Sequence, residues 1–144
     1  MTLDELNRHL TLITELKKAK DMLQSLWNAA NPGGQVLTGM PHTPGVKDKI
    51  GDLAVEIADL ESDIADLETL VAESEVEVKK FISEIKDIQT KMVFRLRFCR
   101  GYAWKEVAKV LGGGNTEDSV KKVCYRYLGE WMEYHHLQEQ IEQL

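Results

Sequence analysis

Apolar residues recur at helical spacing along most of this 144-residue chain. In residues 3–30, leucine or isoleucine returns every three or four positions for most of the stretch, and neither proline nor glycine interrupts it. This spacing predicts an α-helix with one apolar face. Residues 31–46 hold all three prolines and four glycines, so they are predicted to form a loop that ends this helix.

A second and more regular pattern runs from Ile50 to Met92, where apolar residues alternate at spacings of three and four. Only Ser74 interrupts it. One register contains Ile50, Ile57, Ile64, Val71, Val78, Ile85 and Met92, and the other contains Leu53, Leu60, Leu67, Ser74, Phe81 and Ile88. β-Branched residues in the first register and mostly leucine in the second favour a two-stranded coiled coil.

The pattern does not specify what pairs with this long helix. One possibility is an intrachain hairpin with residues 3–30, folded back through the loop. The other is self-association. At 1.5 Å per residue, a helix of about 40 residues is roughly 18 Å longer than a partner of about 28, so part of its apolar face would stay unpaired in the hairpin. An oligomer is therefore expected alongside the hairpin.

The long helix is expected to break near residues 86–90, because Asp87 is placed to cap a new helix. The amphipathic stretch Met92–Arg100 then predicts a helix that Gly101 ends. A second short helix is predicted over Ala103–Leu111. Its inward positions are Trp104, Val107, Ala108 and Leu111.

A third helix is predicted after the turn Gly112-Gly113-Gly114, with Asn115 or Thr116 as its cap and acidic residues in its first turn. Its expected core face is Val120, Val123, Cys124, Tyr127 and Leu128. Its opposite face is Asp118, Lys121, Lys122 and Tyr125. The third helix is expected to continue past Gly129, with Trp131, Met132, Leu137, Ile141 and Leu144 as candidate packing residues.

Charge separates this region from the rest of an acidic chain whose net charge is −6. Residues 92–128 contain eight Lys or Arg and three Asp or Glu, a net charge of +5. Residues 1–91 carry −7 and residues 129–144 carry −4. Attraction to phosphate is screened beyond roughly 8–10 Å, so the local charge matters more than the average. A helix with a basic outer face can lie in the major groove of DNA.

The run RLRFCRGYAWKEVAKVLG at residues 95–112 resembles the start of the DNA-binding region four of bacterial sigma factors. Val120 and the YRYL sequence at 125–128 match that region's recognition helix, so this resemblance covers roughly residues 88–128. The whole chain is similar to small phage and prophage proteins, some of them taken to be late-gene transcription regulators. Because the turn is about two residues longer than in sigma factors, only Lys121 and Lys122 are carried over as base-contacting candidates.

The sequence therefore predicts an all-α protein with three parts. Residues 1–87 form a helical hairpin or coiled coil, 88–128 a helix-turn-helix, and 129–144 a helical extension. The expected function is phage-type transcription regulation through double-stranded DNA, with RNA polymerase as a further possible partner and no cofactor. The candidate DNA-binding residues are Arg95, Arg97, Arg100, Lys105, Asn115, Thr116, Ser119, Lys121, Lys122, Tyr125 and Arg126.

Two other functions fit the same pattern. A small terminase subunit also joins a helix-turn-helix to a coiled coil, although that group usually places the DNA-binding part first. A purely structural coiled-coil adaptor is the second. No signal-peptide layout opens the chain and no apolar run reaches roughly 18 residues, so a location in the bacterial cytoplasm is expected.

Catalysis is not expected, because no nucleophile–base set or phosphate-binding loop is present. Adjacent helical residues such as His135 and His136 point about 100° apart and chelate a metal poorly. Cys99 and Cys124 occupy core-type positions and lack CxxC spacing, so neither a disulfide nor a metal site is predicted.

Overall fold

The computed structural model describes residues 1–31 and 44–143, and their side chains except those of residues 44–50 and 130–136. Every regular element in these residues is helical, which confirms the all-α prediction. The elements are α1 (Leu3–Ala30), α2 (Pro44–Ser83), α3 (Ile88–Phe94), a π-helical segment (Arg95–Cys99), α4 (Trp104–Leu111) and α5 (Glu117–Glu142).

The first two helices begin with favourable terminal residues. At the start of α1, the Thr2 N–H donates to Glu5 Oε2 at 3.1 Å and the Glu5 N–H donates to Thr2 Oγ1 at 3.2 Å, which satisfies two otherwise unpaired donors. Helix α2 begins at Pro44, inside the predicted loop of residues 31–46. Proline is tolerated there because the first helical N–H needs no partner. Residues 32–43 of that loop lie outside the described residues.

The predicted break after the long helix is confirmed. Helix α2 ends at Ser83 and α3 begins at Ile88, with Asp87 as its cap. Asp87 Oδ2 accepts from the Thr90 N–H at 3.0 Å and from the Thr90 hydroxyl at 2.7 Å, and these bonds hold the pKa of Asp87 below its usual value. The apolar register ends here too, because Ile88 is 79% exposed.

The segment after α3 differs from the single helix predicted over Met92–Arg100. The chain is already helical from Ile88, and at Arg95 it widens into a π-helix that ends at Cys99. Its wider turn is closed by the Arg100 N–H, which donates to the Arg95 carbonyl at 3.1 Å. Gly101 then leaves the helix at a φ of 72°, as the prediction of a stop there required.

The last helix runs unbroken from Glu117 to Glu142, so the predicted extension past Gly129 is confirmed. The packing expected of that extension is wrong for Leu137 and Ile141, which are 58% and 68% exposed. Apolar spacing alone cannot determine whether a helix face has a neighbour. The predictions for Trp131, Met132 and Leu144 fall on side chains outside the described set.

The chain divides into two compact units. One, here called the core unit, contains residues 1–11 and 72–144. Its buried cluster draws on α1, α2, α3, the π-helical segment, α4 and α5. The cluster contains Leu6, Val78, Phe81, Ile82, Ile85, Val93, Phe94, Leu96, Phe98, Trp104, Val107, Ala108, Val120, Cys124 and Leu128. This single core fixes the short helical elements, which carry Lys91, Arg95, Arg97, Lys105 and Lys109.

The other unit, here called the long-helix unit, contains residues 12–71. In its part of α2, Ile57 and Ile64 are buried and their neighbours at three- and four-residue spacing are partly covered. Lys20 on α1 forms an ion pair with Glu68 on α2 at 3.3 Å. Both side chains are more than half exposed, so this pair contributes little stability and mainly shows that the helices are neighbours.

Ser74, the interruption in the apolar pattern, has a partner in the core unit. Its hydroxyl lies 2.7 Å from Nδ1 of His9, which is 1% exposed. Burying a polar ring without a hydrogen bond is unfavourable. A serine at this position can therefore stabilise the fold, whereas an aliphatic residue would leave the ring nitrogen without this partner. Burial lowers the pKa of His9 below its ordinary value of 6.5, and the Glu75 carboxylate partly opposes this.

The lowered pKa of His9 predicts acid sensitivity. In the unfolded chain His9 takes up its proton near pH 6.5, whereas in the fold it does so at lower pH. The stability that this neutral, buried histidine contributes is therefore fully present above about pH 6.5. It declines as the pH falls below that value and through the lower pKa that His9 has in the folded protein. We expect the free energy of unfolding to drop more between about pH 7.5 and 5.5 for the wild type than for His9→Gln, as measured by urea denaturation. An equal drop in the free energy of unfolding of the two proteins would contradict the lowered pKa of His9.

Candidate nucleic-acid interface

Helix α4, a glycine turn and α5 form a compact two-helix arrangement. Helix α4 ends at Gly112, and Gly112, Gly113 and Gly114 all adopt positive φ. The turn is closed by Asn115, whose backbone N–H and side-chain Nδ2 both donate to the Gly112 carbonyl, at 3.1 and 2.8 Å. The side chain of Asn115, a predicted DNA contact, is thus used to shape the turn.

The start of α5 is fixed by Thr116 and Ser119. The Ser119 N–H donates to Thr116 Oγ1 at 3.2 Å, and the Thr116 N–H donates to Ser119 Oγ at 2.8 Å. This reciprocal capping confirms Thr116 as the cap residue. It also commits both hydroxyls, which were predicted to contact DNA, to helix initiation.

The two faces of α5 separate as the sequence predicts. Val120, Cys124 and Leu128 are buried, and Val123 and Tyr127 pack partly buried against the same core. On the other side Asp118, Lys122 and Tyr125 are exposed, and Arg126 is exposed beside them. Lys121 is half-buried and forms an ion pair with Glu117 at 3.2 Å, one turn earlier. A phosphate or base edge would have to compete with that carboxylate for Lys121.

Helix α4 holds α5 through a face of apolar side chains. Val107 is fully buried, and Trp104 and Ala108 are at least nine-tenths buried. The predicted inward residue Leu111 is partly buried against the same cluster. Small Ala108 lies in the core with its short side chain, as expected of a close helix contact. Lys105 and Lys109 occupy exposed positions on the same helix.

Arg97 is placed differently from the other predicted arginines. Its Nη1 donates to the Tyr102 carbonyl at 2.9 Å, and its guanidinium lies 4.8 Å from the centre of the Trp104 ring. Partial burial lowers the pKa of Arg97, and the nearby Tyr125 and Cys124 oppose this. The Arg97 side chain, a predicted DNA contact, is thus engaged within the protein.

Arg97 forms part of a stack that reaches the exposed face of α5. The Trp104 ring meets the Tyr125 ring edge-on with centroids 6.2 Å apart, and it meets Phe98 in the same way at 6.4 Å. Tyr125 itself is 47% exposed. The stack therefore contacts a tyrosine that is still about half exposed.

The predicted residues therefore fall into two groups. Five have side chains engaged within the protein: Arg97, Asn115, Thr116, Ser119 and Lys121. Six are exposed: Arg95, Arg100, Lys105, Lys122, Tyr125 and Arg126. Arg126 lines an open cleft with Glu84, Lys86 and Asp87, whereas Arg95 and Arg100 line a different cleft against α2.

One basic residue of that second cleft was missed by the sequence analysis. Lys79 lies near the end of α2 and faces the cleft together with Arg95 and Arg100. It belongs to a strongly acidic stretch, so charge averaging concealed it. The adjacent pair Lys79-Lys80 was the only signal available in the sequence.

Burial keeps both cysteine thiols protonated. Burial raises the pKa of Cys124 to about 12, although Arg97 acts in the opposite direction, and burial likewise raises the pKa of Cys99. Both thiols are therefore neutral near pH 7, and neither is disulfide-bonded. In the described part of the chain, no group of three or more His, Cys, Asp or Glu residues is placed to hold a metal ion.

Comparisons with protein-family models, with curated proteins and with solved structures find no match to this chain. Within residues 1–31 and 44–143, no helix combines the length and apolar character that crossing a bilayer requires.

Proposed function

We propose that this protein is a DNA-binding transcriptional regulator of the phage type, with α4, the glycine turn and α5 as its helix-turn-helix. The observation that carries the proposal is the division of α5 into two faces. Its buried side is anchored by Val120, Cys124 and Leu128, while Lys122 and Tyr125 face outward. A rigidly held helix that presents a cation and an aromatic side chain on its outer face can lie in the major groove of DNA.

Local charge supports the same proposal. The region from residue 92 to residue 128 has a net charge of +5, although the whole chain has −6. Sequence-independent attraction to the DNA backbone depends on the cations within roughly a Debye length of the phosphates. Such a regulator would act in the bacterial cytoplasm, where host and phage DNA are transcribed.

Several exposed residues of α4 and α5 can be given a role within this proposal. Lys122 and Tyr125 lie one helical turn apart and are the candidates for base edges and adjacent phosphates. Lys105 on α4 would contact the backbone, as the first helix of this motif commonly does. Glu117 and Asp118 suit the positive end of the α5 dipole, and Glu117 also restrains Lys121.

The long helices would give the regulator its second function. The Lys20–Glu68 and His9–Ser74 contacts support an intrachain helical hairpin of α1 and α2. In this proposal apolar side chains of α2 that lie outside the seam, such as Leu70 at 49% exposure, serve self-association or contact with RNA polymerase. A two-fold oligomer would present two recognition helices to two half-sites.

The test begins with selection of bound duplexes from random DNA, followed by titration of a selected duplex. We expect Lys122→Ala to weaken binding about tenfold, the lower part of the range for a residue that contacts a base edge, and to relax preference at one position. Lys17→Ala, an exposed lysine on α1, is the matched control and should leave affinity unchanged. If the wild type selects no sequence, or if both variants behave alike, the recognition role of α5 is rejected.

A further inference from the structure

A cleft in the core unit combines three cations with an apolar floor. It has a volume of about 440 Å³ and is lined by Glu75, Lys79, Ile82, Arg95, Cys99 and Arg100. Ile82 is 2% exposed and Cys99 is half-buried, whereas Arg95 and Arg100 are exposed. Charged groups beside an apolar surface interact more strongly than they would in open water.

The π-helical segment explains why the two arginines share this cleft. In an α-helix, residues five apart point about 140° away from each other. In a π-helix the hydrogen bond joins residues five apart, here the Arg100 N–H and the Arg95 carbonyl at 3.1 Å. Residues 95 and 100 are therefore stacked one turn apart on the same side. A regular α-helix over this stretch would have directed one arginine away from α2.

The charges around the cleft do not cancel. Glu75 pairs with Lys79 at 3.1 Å, which accounts for one cation and one anion. Within the described residues, neither the Arg95 nor the Arg100 side chain has a hydrogen-bond or ion-pair partner. The Cys99 thiol stays neutral because burial, followed by Glu75, raises its pKa against the influence of Lys79, Arg95 and Arg100. Among the described residues, the cleft thus retains two guanidinium groups without a partner and a net charge of +2.

We infer that this cleft is a phosphate-binding site, in which phosphoryl oxygens are held between Arg95, Arg100 and the ammonium of Lys79. Guanidinium groups present paired N–H donors that match the oxygens of a phosphate, and charge-assisted bonds of this kind are strong. The polyanion would draw Lys79 away from Glu75. The phosphate can belong to the backbone of DNA or to a free polyphosphate, since both present the same oxygens.

The cleft can be tested without DNA, using tripolyphosphate and the full chain at low ionic strength. We expect calorimetric binding by the wild type and a loss of about tenfold or more in Arg95→Gln/Arg100→Gln. The matched control is Arg8→Gln/Lys17→Gln, which removes the same charge at two exposed positions on α1 and should stay within about twofold. Glu75→Gln should tighten binding, because it frees Lys79.

Several outcomes would overturn the inference. These are absence of tripolyphosphate binding by the wild type, equal weakening by the two double variants, and binding that is indifferent to Glu75→Gln. Far-ultraviolet circular dichroism establishes that each variant is folded. Because the cleft residues other than Ile82 are polar or partly exposed, the substitutions do not remove buried apolar surface.

A second arm identifies the source of the phosphate. If the cleft holds the DNA backbone, Arg95→Gln/Arg100→Gln should lower the salt slope of duplex binding by about 0.9 per lost contact. An unchanged slope together with weakened tripolyphosphate binding would assign the site to a free polyphosphate. The site does not depend on the proposed function, because a wild type that binds tripolyphosphate but no duplex would reject the regulator and keep the cleft.

Discussion

Replacing Phe94 with alanine is expected to lower the free energy of unfolding of the core unit by about 3–5 kcal/mol. Phe94 is fully buried and links three elements through its ring. Its centroid lies 6.0 Å from that of Phe81 on α2, 5.7 Å from that of Phe98 in the π-helical segment, and 5.5 Å from that of Tyr127 on α5. Truncation would remove these contacts and leave a cavity that three separate elements would have to fill by moving.

The measurement is urea denaturation followed by circular dichroism. The matched control is Ile88→Ala on the same short helix, where the side chain is 79% exposed and the change should stay within about 0.5 kcal/mol. If Phe94→Ala costs no more than Ile88→Ala, the shared core described for α2, α3 and α5 is wrong. Phe94→Ala should also weaken the proposed DNA binding, because α5 loses part of its support.

Two glycine-to-alanine substitutions are expected to change stability in opposite directions. Gly112 has φ 63° and ψ −150°, a region that alanine rarely occupies, so Gly112→Ala should cost about 1–3 kcal/mol. Gly129 lies inside helix α5, where alanine is favoured, so Gly129→Ala should stabilise the protein by about 0.5–1 kcal/mol. An added Cβ meets nothing within 4 Å at either position, so backbone conformation alone separates the two.

The pair tests the turn between α4 and α5 directly. Their free energies of unfolding should differ by roughly 1.5–4 kcal/mol, which thermal or urea denaturation resolves easily. Two variants of similar stability would mean that Gly112 is not held in its positive-φ conformation. In a Gly112→Ala protein that remains folded, the proposed DNA binding should also be weaker, because the turn connects α4 to α5.

Local sequence determined most of the helical elements and their internal faces. The apolar spacing of residues 3–30, the Asp87 cap, the glycine turn and the two faces of α5 all follow from interactions within a few residues. A cap needs a side-chain oxygen three positions before an unpaired N–H, and a helix face repeats every 3.6 residues. These are features that a single segment contains, so they could be predicted without knowing its neighbours.

Tertiary structure decided which of the basic side chains are accessible. Arg95, Arg97 and Arg100 look equivalent in the sequence, yet Arg97 is held by Tyr102 and Trp104 while the other two face a cleft beside α2. The π-helical segment places Arg95 and Arg100 on one side and Arg97 on another. The apolar spacing of the sequence gives no sign of this widened turn. Whether a guanidinium meets a carbonyl, a ring or solvent depends on elements that packing brings beside it.

Contacts between distant residues decided the remaining features. In the sequence Ser74 only interrupts the apolar pattern. The structure shows that it forms a hydrogen bond with His9, which lies 65 residues away along the chain. Lys79 lies in an acidic helix, and the sequence gives it no basic neighbours beyond Lys80. In the folded chain the π-helical segment places Arg95 and Arg100 beside it in one cleft. Leu137 and Ile141 have the spacing of packing residues but lie exposed. Periodicity specifies which residues share a helix face, whereas only the folded chain determines what that face meets.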